Sequence, residues 1–245
     1  MAEIETSAKP ATLYRYRPLG IRRLPSRKSR AEPAIIDREL DAIEQHYVFC
    51  PTYPEMNDPM ECLYASMQRV QEKSDYQDFV PDVRDKKLGI GIASFCEAWD
   101  NEVMWAHYAG GFRGICVAYS VSKLMDGLDD RHSLVRIVYG DSPFNMNLAG
   151  RRDRSGCARA ILSAKNLMWT YEREWRLFAP FRGRAQHGPG VVKRVYLGAR
   201  MDPADRRIIT GRLLSIGLEV RRTRVDGDMV ERLPPSKPPK PRCCR

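Results

Sequence analysis

Glu172, Glu174 and Arg176 stand at alternate positions among large aromatics in the run Lys165-Asn166-Leu167-Met168-Trp169-Thr170-Tyr171-Glu172-Arg173-Glu174-Trp175-Arg176. In an extended stretch, period-2 geometry predicts both acids and Arg176 on one face, with Arg173, Trp175 and Leu177 on the other. Carboxylates beside Trp169, Tyr171 and Trp175 are costly to bury unless they are paired, ligated or used in chemistry. A fixed carboxylate in a dry cleft suits stabilisation of a developing positive charge. With His107 as acid or base, the same acids would instead suit a metal-independent nuclease. The structural alternative is a ladder of ion pairs from Glu172 and Glu174 to Arg15, Arg17 or Lys165, with a partner on every side of Glu174.

These side chains depend on the elements that carry them. Ala158–Met168 has Ile161, Leu162, Lys165 and Met168 at helical spacing, and strands are predicted over 174–179 and 191–197. Leu13-Tyr14-Arg15-Tyr16-Arg17 reads as a strand stopped by Pro18, Ile35–Gln45 as a helix and His46–Pro51 as a strand. A polar stretch over 60–87 has helical character. Leu88–Phe95 reads as a strand whose Gly89 and Gly91 admit a close backbone approach. Asn101 is placed to cap a short helix that Gly110-Gly111 ends. Gly114–Tyr119 is nearly all apolar, as in a strand covered on both faces, and Leu134–Tyr139 is another strand, followed by a loop over 141–156. Asp202-Pro203 opens a helix to Leu214. Asp226-Gly227-Asp228 joins Leu218–Val225 to Met229–Leu233 as a hairpin.

The chain has 245 residues, enough for one sizeable core, and its 43% hydrophobic and 29% charged residues fit a soluble globular protein. The expected organisation is an N-terminus over 1–11 without regular structure, one α+β domain over 12–233 with a basic loop near 20–34, and a basic proline-rich tail over 234–245. No apolar run is long enough to span a bilayer, and the first residues lack a signal-peptide pattern, so a cytoplasmic location is expected. Seven cysteines, an odd number without a C-x-x-C pair, fit free thiols; Cys50, Cys96 and Cys116 fall within apolar runs. The histidines His46, His107, His132 and His187 show no ligand spacing, so no metal site is expected.

The net charge of +10 is uneven. Residues 12–30 carry Arg15, Arg17, Arg22, Arg23, Arg27, Lys28 and Arg30 without an acid, and the C-terminal end is also basic. Such clusters attract RNA, DNA or nucleotide phosphates, or serve only solubility. Elsewhere the structural reading competes directly with the functional one. Met104, Trp105 and Tyr108 at helical spacing suit a core as well as a ligand box. Asn57-Asp58-Pro59 is a turn sequence, and Glu61 can pair with an arginine of the first strand.

An ordered set of motifs resembles the bacterial family called domain of unknown function 2971. It comprises Leu13-Tyr14-Arg15-Tyr16-Arg17, Asn57-Asp58-Pro59-Met60-Glu61, Ser94-Phe95-Cys96, Met104-Trp105-Ala106-His107-Tyr108-Ala109, Gly114-Ile115-Cys116, Val138-Tyr139, Lys165 with Trp169 to Arg176, and Leu197-Gly198. The chain departs from that pattern in its basic insertion after Pro18 and in Phe95-Cys96-Glu97, where the family more often has Cys-Phe-Ser. The order of an arginine, a hydroxyl and a Glu-x-Glu also resembles ADP-ribosyltransferases. That resemblance implies a split, mostly antiparallel sheet with flanking helices that holds NAD. It assigns phosphate contact to Arg15 or Arg17, the bracing hydroxyl to Ser94, the catalytic carboxylate to Glu174 and acceptor activation to Glu172. Tyr14, Trp105 or Tyr108 would stack on nicotinamide or adenine.

Overall fold

The computed structural model describes residues 9–19, 35–56, 64–65, 74–142, 144–145 and 153–236. The basic segment 20–34, the Asn57-Asp58-Pro59 turn with Glu61, and the tail beyond Ser236 lie outside these residues.

In chain order the elements begin with β1 (Thr12–Arg17), α1 (Ile35–Glu44), β2 (Tyr47–Cys50) and β3 (Tyr64–Ala65). Next come α2 (Ser74–Gly89), β4 (Gly91–Cys96), α3 (Glu102–Tyr108), β5 (Ile115–Ser120) and α4 (Val121–Asp126). The middle of the chain supplies β6 (Ser133–Arg136), β7 (Val138–Gly140), β8 (Phe144–Asn145), α5 (Arg154–Leu162) and β9 (Ala164–Asn166). A 3-10 turn over Leu167–Glu172 leads into β10 (Glu174–Ala179) and β11 (Gly183–Gln186). The chain continues with β12 (Val192–Leu197), α6 (Pro203–Ser215), β13 (Glu219–Asp226) and β14 (Met229–Pro235). The fold is mixed α and β, with mostly antiparallel strand pairing, as expected.

The backbone gathers into two compact units. The first contains Val48–Glu97 and Met125–Gln186. Its β10 pairs antiparallel with β4 on one side and β6 on the other, with Arg176 opposite Ser94 and Trp175 opposite both Phe95 and Arg136. Phe79 and Val83 of α2 and Cys157, Ala158, Ile161 and Leu162 of α5 bury against Ile92 and Phe178, forming the core that fixes these strands. A separate parallel pair, β7 with β9, sets Tyr139 opposite Lys165.

The second unit contains Pro10–Tyr47, Ala98–Leu124 and His187–Arg245. Its strands run in the order β14-β13-β12-β5-β1, antiparallel except for β12 beside β13, which α6 connects by a crossover. Every residue of β5 is buried, in agreement with its apolar sequence. Asn101 caps α3 by accepting from the N–H groups of Val103 and Met104 at 3.0 and 3.1 Å. Replacement of Asn101 by alanine orphans both donors and is expected to lower stability by about 1 kcal/mol in urea unfolding. The Gly110-Gly111 stop is also present, both residues having φ near +60°.

Several expected boundaries are revised. Leu88 and Gly89 end α2, and the strand begins at Gly91. The close approach holds at Gly91, where a Cβ would lie 2.2 Å from the Phe181 carbonyl oxygen, but not at Gly89, around which the space is open. Leu134–Tyr139 is two short strands broken at Ile137, whose N–H turns to the Glu174 carbonyl at 2.9 Å. The expected loop over 141–156 contains β8 and the start of α5. The helix expected over Ala158–Met168 ends at Leu162, and Lys165 sits on β9. Pairing with β7 outweighs helical spacing there, and Met168, the last position of that spacing, is 82% exposed. Pro234 and Pro235, expected in the tail, extend β14.

Among the described residues no helix is long and apolar enough to cross a membrane. Cys50, Cys96, Cys116 and Cys157 are free and buried.

Candidate functional site

The cluster around Glu-x-Glu is built by a sharp succession of short elements. After α5 the chain enters β9, and Asn166 then caps the 3-10 turn by accepting from the Met168 N–H at 2.9 Å. Arg173 closes that turn in the left-handed region, φ 43°, donating its N–H to the Thr170 carbonyl at 3.1 Å. This reversal takes Glu172 off the strand. The two acids and Arg176 are therefore not three alternate positions of one extended face: Glu172 belongs to the turn, and Glu174 opens β10. Of the expected opposite face, Trp175 and Leu177 are buried in β10, whereas Arg173 is exposed at the end of the turn.

The acids nonetheless converge. Lys165 Nζ donates to Glu172 Oε2 at 2.6 Å and to Glu174 Oε2 at 3.3 Å. Arg176 grips Glu174 with two bonds, Nε to Oε1 at 2.8 Å and Nη2 to Oε2 at 3.1 Å, and gives Nη1 to the Leu162 carbonyl at 2.5 Å. Ser94, opposite Arg176 on β4, favours the ionised form of the Glu174 carboxylate. The Glu174 backbone N–H donates to the Tyr139 hydroxyl at 2.8 Å. The side chains of Lys165, Glu172, Glu174 and Arg176 are at most 5% exposed. Trp169 lies over the ammonium, 4.7 Å from Lys165 Nζ to the ring centre.

Two cations and two carboxylates balance, so the cluster carries no net charge when fully ionised. Burial still dominates at Glu174: it pushes the carboxyl up to about 7, opposed by Lys165 and Ser94 and helped by the neighbouring Glu172. For Lys165 the same burial disfavours the ammonium, but Glu174 and Glu172 outweigh it and hold the proton more tightly than usual. Burial likewise raises the Tyr139 hydroxyl. A dry carboxyl poised near neutrality is able to carry a negative charge or a proton at small free-energy difference. The expected ion-pair ladder is therefore present through Lys165 and Arg176.

Ser94, Glu172 and Glu174 meet in the first unit. Tyr14, Arg15, Arg17, Trp105, His107 and Tyr108 belong to the second. On β1, Arg15 stands opposite Val117, and the Arg17 guanidinium pairs with Glu39. Tyr14 is half-buried, its ring 6.4 Å from Tyr196, which in turn stacks on Trp99 at 4.8 Å. Trp105 is a core residue: fully buried, it donates its indole N–H to the Trp99 carbonyl at 2.7 Å and meets Tyr16 edge-on. His107 lies on the exposed side of α3, with the half-buried Tyr108 ring 6.2 Å away.

Two contributors escaped sequence reasoning. Tyr139 was placed at a strand end and within a family motif but given no role, although a hydroxyl in an apolar run is a signal that it needs a buried partner. The Leu162 carbonyl has no side-chain signature at all. Among the described residues no cluster of three or more His, Cys, Asp or Glu is arranged to hold a metal ion.

Residues 104–177 match a family described as "Protein of unknown function (DUF2971)". No curated protein and no solved structure gives a significant match. The family match spans α3 through most of β10, and so includes Lys165, Glu172, Glu174 and Arg176.

Proposed function

We propose that this chain, which belongs to the DUF2971 family through residues 104–177, is an ADP-ribosyltransferase-like enzyme that cleaves the nicotinamide–ribose bond of NAD, with Glu174 as the carboxylate that carries the reaction. The supporting observation is the buried cluster on β10: Arg176, opposite Ser94 of β4, grips Glu174, and Lys165 joins Glu172 to the same carboxylate. The hydroxyl and Glu-x-Glu of the sequence pattern thus form one cluster.

In this reading the glycosidic C–N bond breaks and its electron pair leaves with nicotinamide. The positive charge left on the ribose is stabilised by the ionised Glu174, which Lys165 and Arg176 hold in one orientation. A nucleophilic group of the acceptor supplies the new bond to the ribose carbon, and its proton passes to solvent or to Glu172. Glu174 is 3% exposed, so ribose contact requires its cover to move. We assign that movement to the Leu167–Glu172 turn, whose Trp169 lies over Lys165.

Because Glu174 is raised to about 7, its ionised fraction grows as pH climbs through neutrality. Nicotinamide release by the purified chain is therefore expected to rise between about pH 6 and about pH 8 and then level off. NAD is also expected to raise the melting temperature in a concentration-dependent way. A protein that neither releases nicotinamide nor is stabilised by NAD at any pH in that range contradicts the proposal.

A further inference from the structure

A groove of about 810 Å³ runs between the outer face of α6 and the residues at the end of β14, lined by Arg206, Arg207, Leu214, Arg222, Pro234 and Pro235 among others. The opposite face of α6 is committed to the core through the buried Ile209 and Leu213, which fixes which side is turned outward.

The arginines of α6 and β13 divide into two sets. Arg212 is tied to Glu44 and Asp37, Arg221 to Glu219, and Arg224 to Glu231 and Asp226. Arg206, Arg207 and Arg222 have no acidic partner among the described residues, and these are the three that border the groove. Three uncompensated guanidiniums around an apolar floor call for a ligand that brings both carboxylates and apolar groups.

We propose that this groove binds an extended acidic peptide segment of a partner protein, its carboxylates meeting Arg206, Arg207 and Arg222 and its apolar side chains lying against Leu214, Pro234 and Pro235. Nucleic acid fits less well, because the lining has no aromatic ring on which a base can stack. Charge argues against this chain's own continuation: residues 237–245 add Lys237, Lys240, Arg242 and Arg245 and no acid. A second copy of the chain, with its net charge of +10, is disfavoured on the same ground.

The test is fluorescence anisotropy with the full chain and a labelled peptide of alternating glutamate and leucine, beside its glutamine-for-glutamate counterpart and a labelled oligothymidine. The acidic peptide is expected to bind best, and more weakly as salt is raised. The triple variant Arg206→Gln, Arg207→Gln, Arg222→Gln is expected to weaken binding at least about tenfold. A charge-matched control, Arg84→Gln, Lys86→Gln, Arg200→Gln, stays within about twofold if the groove is the site. Thr210→Glu supplies a competing carboxylate inside the groove and abolishes binding, with unchanged melting confirming that each variant folds. Equal losses in the two triple variants, tighter binding of oligothymidine through the same arginines, or failure of the acidic peptide to bind would overturn the proposal.

Discussion

Replacing Arg176 by methionine is expected to destabilise the protein by about 3–5 kcal/mol above neutral pH and by distinctly less near about pH 5. Arg176 is fully buried and satisfies both Glu174 oxygens and the Leu162 carbonyl. Methionine fills comparable volume but leaves two carboxylates facing one ammonium and an orphaned carbonyl. The cluster then escapes its excess negative charge by protonating Glu174, which already lies near 7 in the intact protein, well above its ordinary 4.5. A carboxyl whose folded-state value is raised binds its proton more tightly in the folded protein than in the unfolded chain. Its favourable contribution is complete below the unfolded value and is lost as pH rises through the folded one. The variant's deficit should therefore widen from acid to neutral pH. Urea unfolding across that range checks it; a deficit independent of pH would show that Glu174 is not the group that absorbs the imbalance.

Glu174→Gln is expected to lower both stability and activity, with the larger effect on activity. Burial raises the Glu174 carboxyl to about 7, so losing its charge costs less here than at a carboxylate of ordinary affinity. The amide keeps the shape, but Oε1 accepts from Arg176 and Oε2 from both Arg176 and Lys165, so its NH2 must face a cationic donor. Stability should fall by about 1–3 kcal/mol at neutral pH, the cost of a buried donor left without an acceptor. Loss of the negative charge removes the stabilisation of the developing ribose cation, for which single electrostatic donors in enzyme sites are worth about 10²- to 10³-fold in rate. Nicotinamide release should fall by at least that factor. Equal activity in the variant would separate the ion-pair cluster, which is present in either case, from the reaction proposed for it.

Much of the scaffold was readable because its signals are local. Asn101 as a cap, Asp202-Pro203 as a helix start and Asp226-Gly227 as a hairpin turn each act over a few residues, and each is where it was expected. The region feeding the site was harder, since its conformation is decided by partners distant in sequence. Helical spacing at Ile161, Leu162, Lys165 and Met168 continued past the true end of α5, because pairing of β9 with β7 is invisible in the run itself. Alternation likewise placed Glu172, Glu174 and Arg176 on one face, whereas the left-handed Arg173 moves Glu172 onto a turn. The residue types were still informative: two acids among aromatics demanded cations, and Lys165 and Arg176 supply them. The Leu162 carbonyl could not have been anticipated, since any residue presents the same group.

The central claim is that Glu174 works on NAD and does not serve only as one member of a buried salt-bridge cluster. Its most direct test is nicotinamide release from NAD by the purified full chain at about pH 8, with wild-type and Glu174→Gln proteins compared at a temperature where melting shows both to be folded. The expected result is steady release by the wild-type chain and a loss of at least about a hundredfold in the variant. Absence of release from the folded wild-type protein, or equal release from both, would contradict the claim.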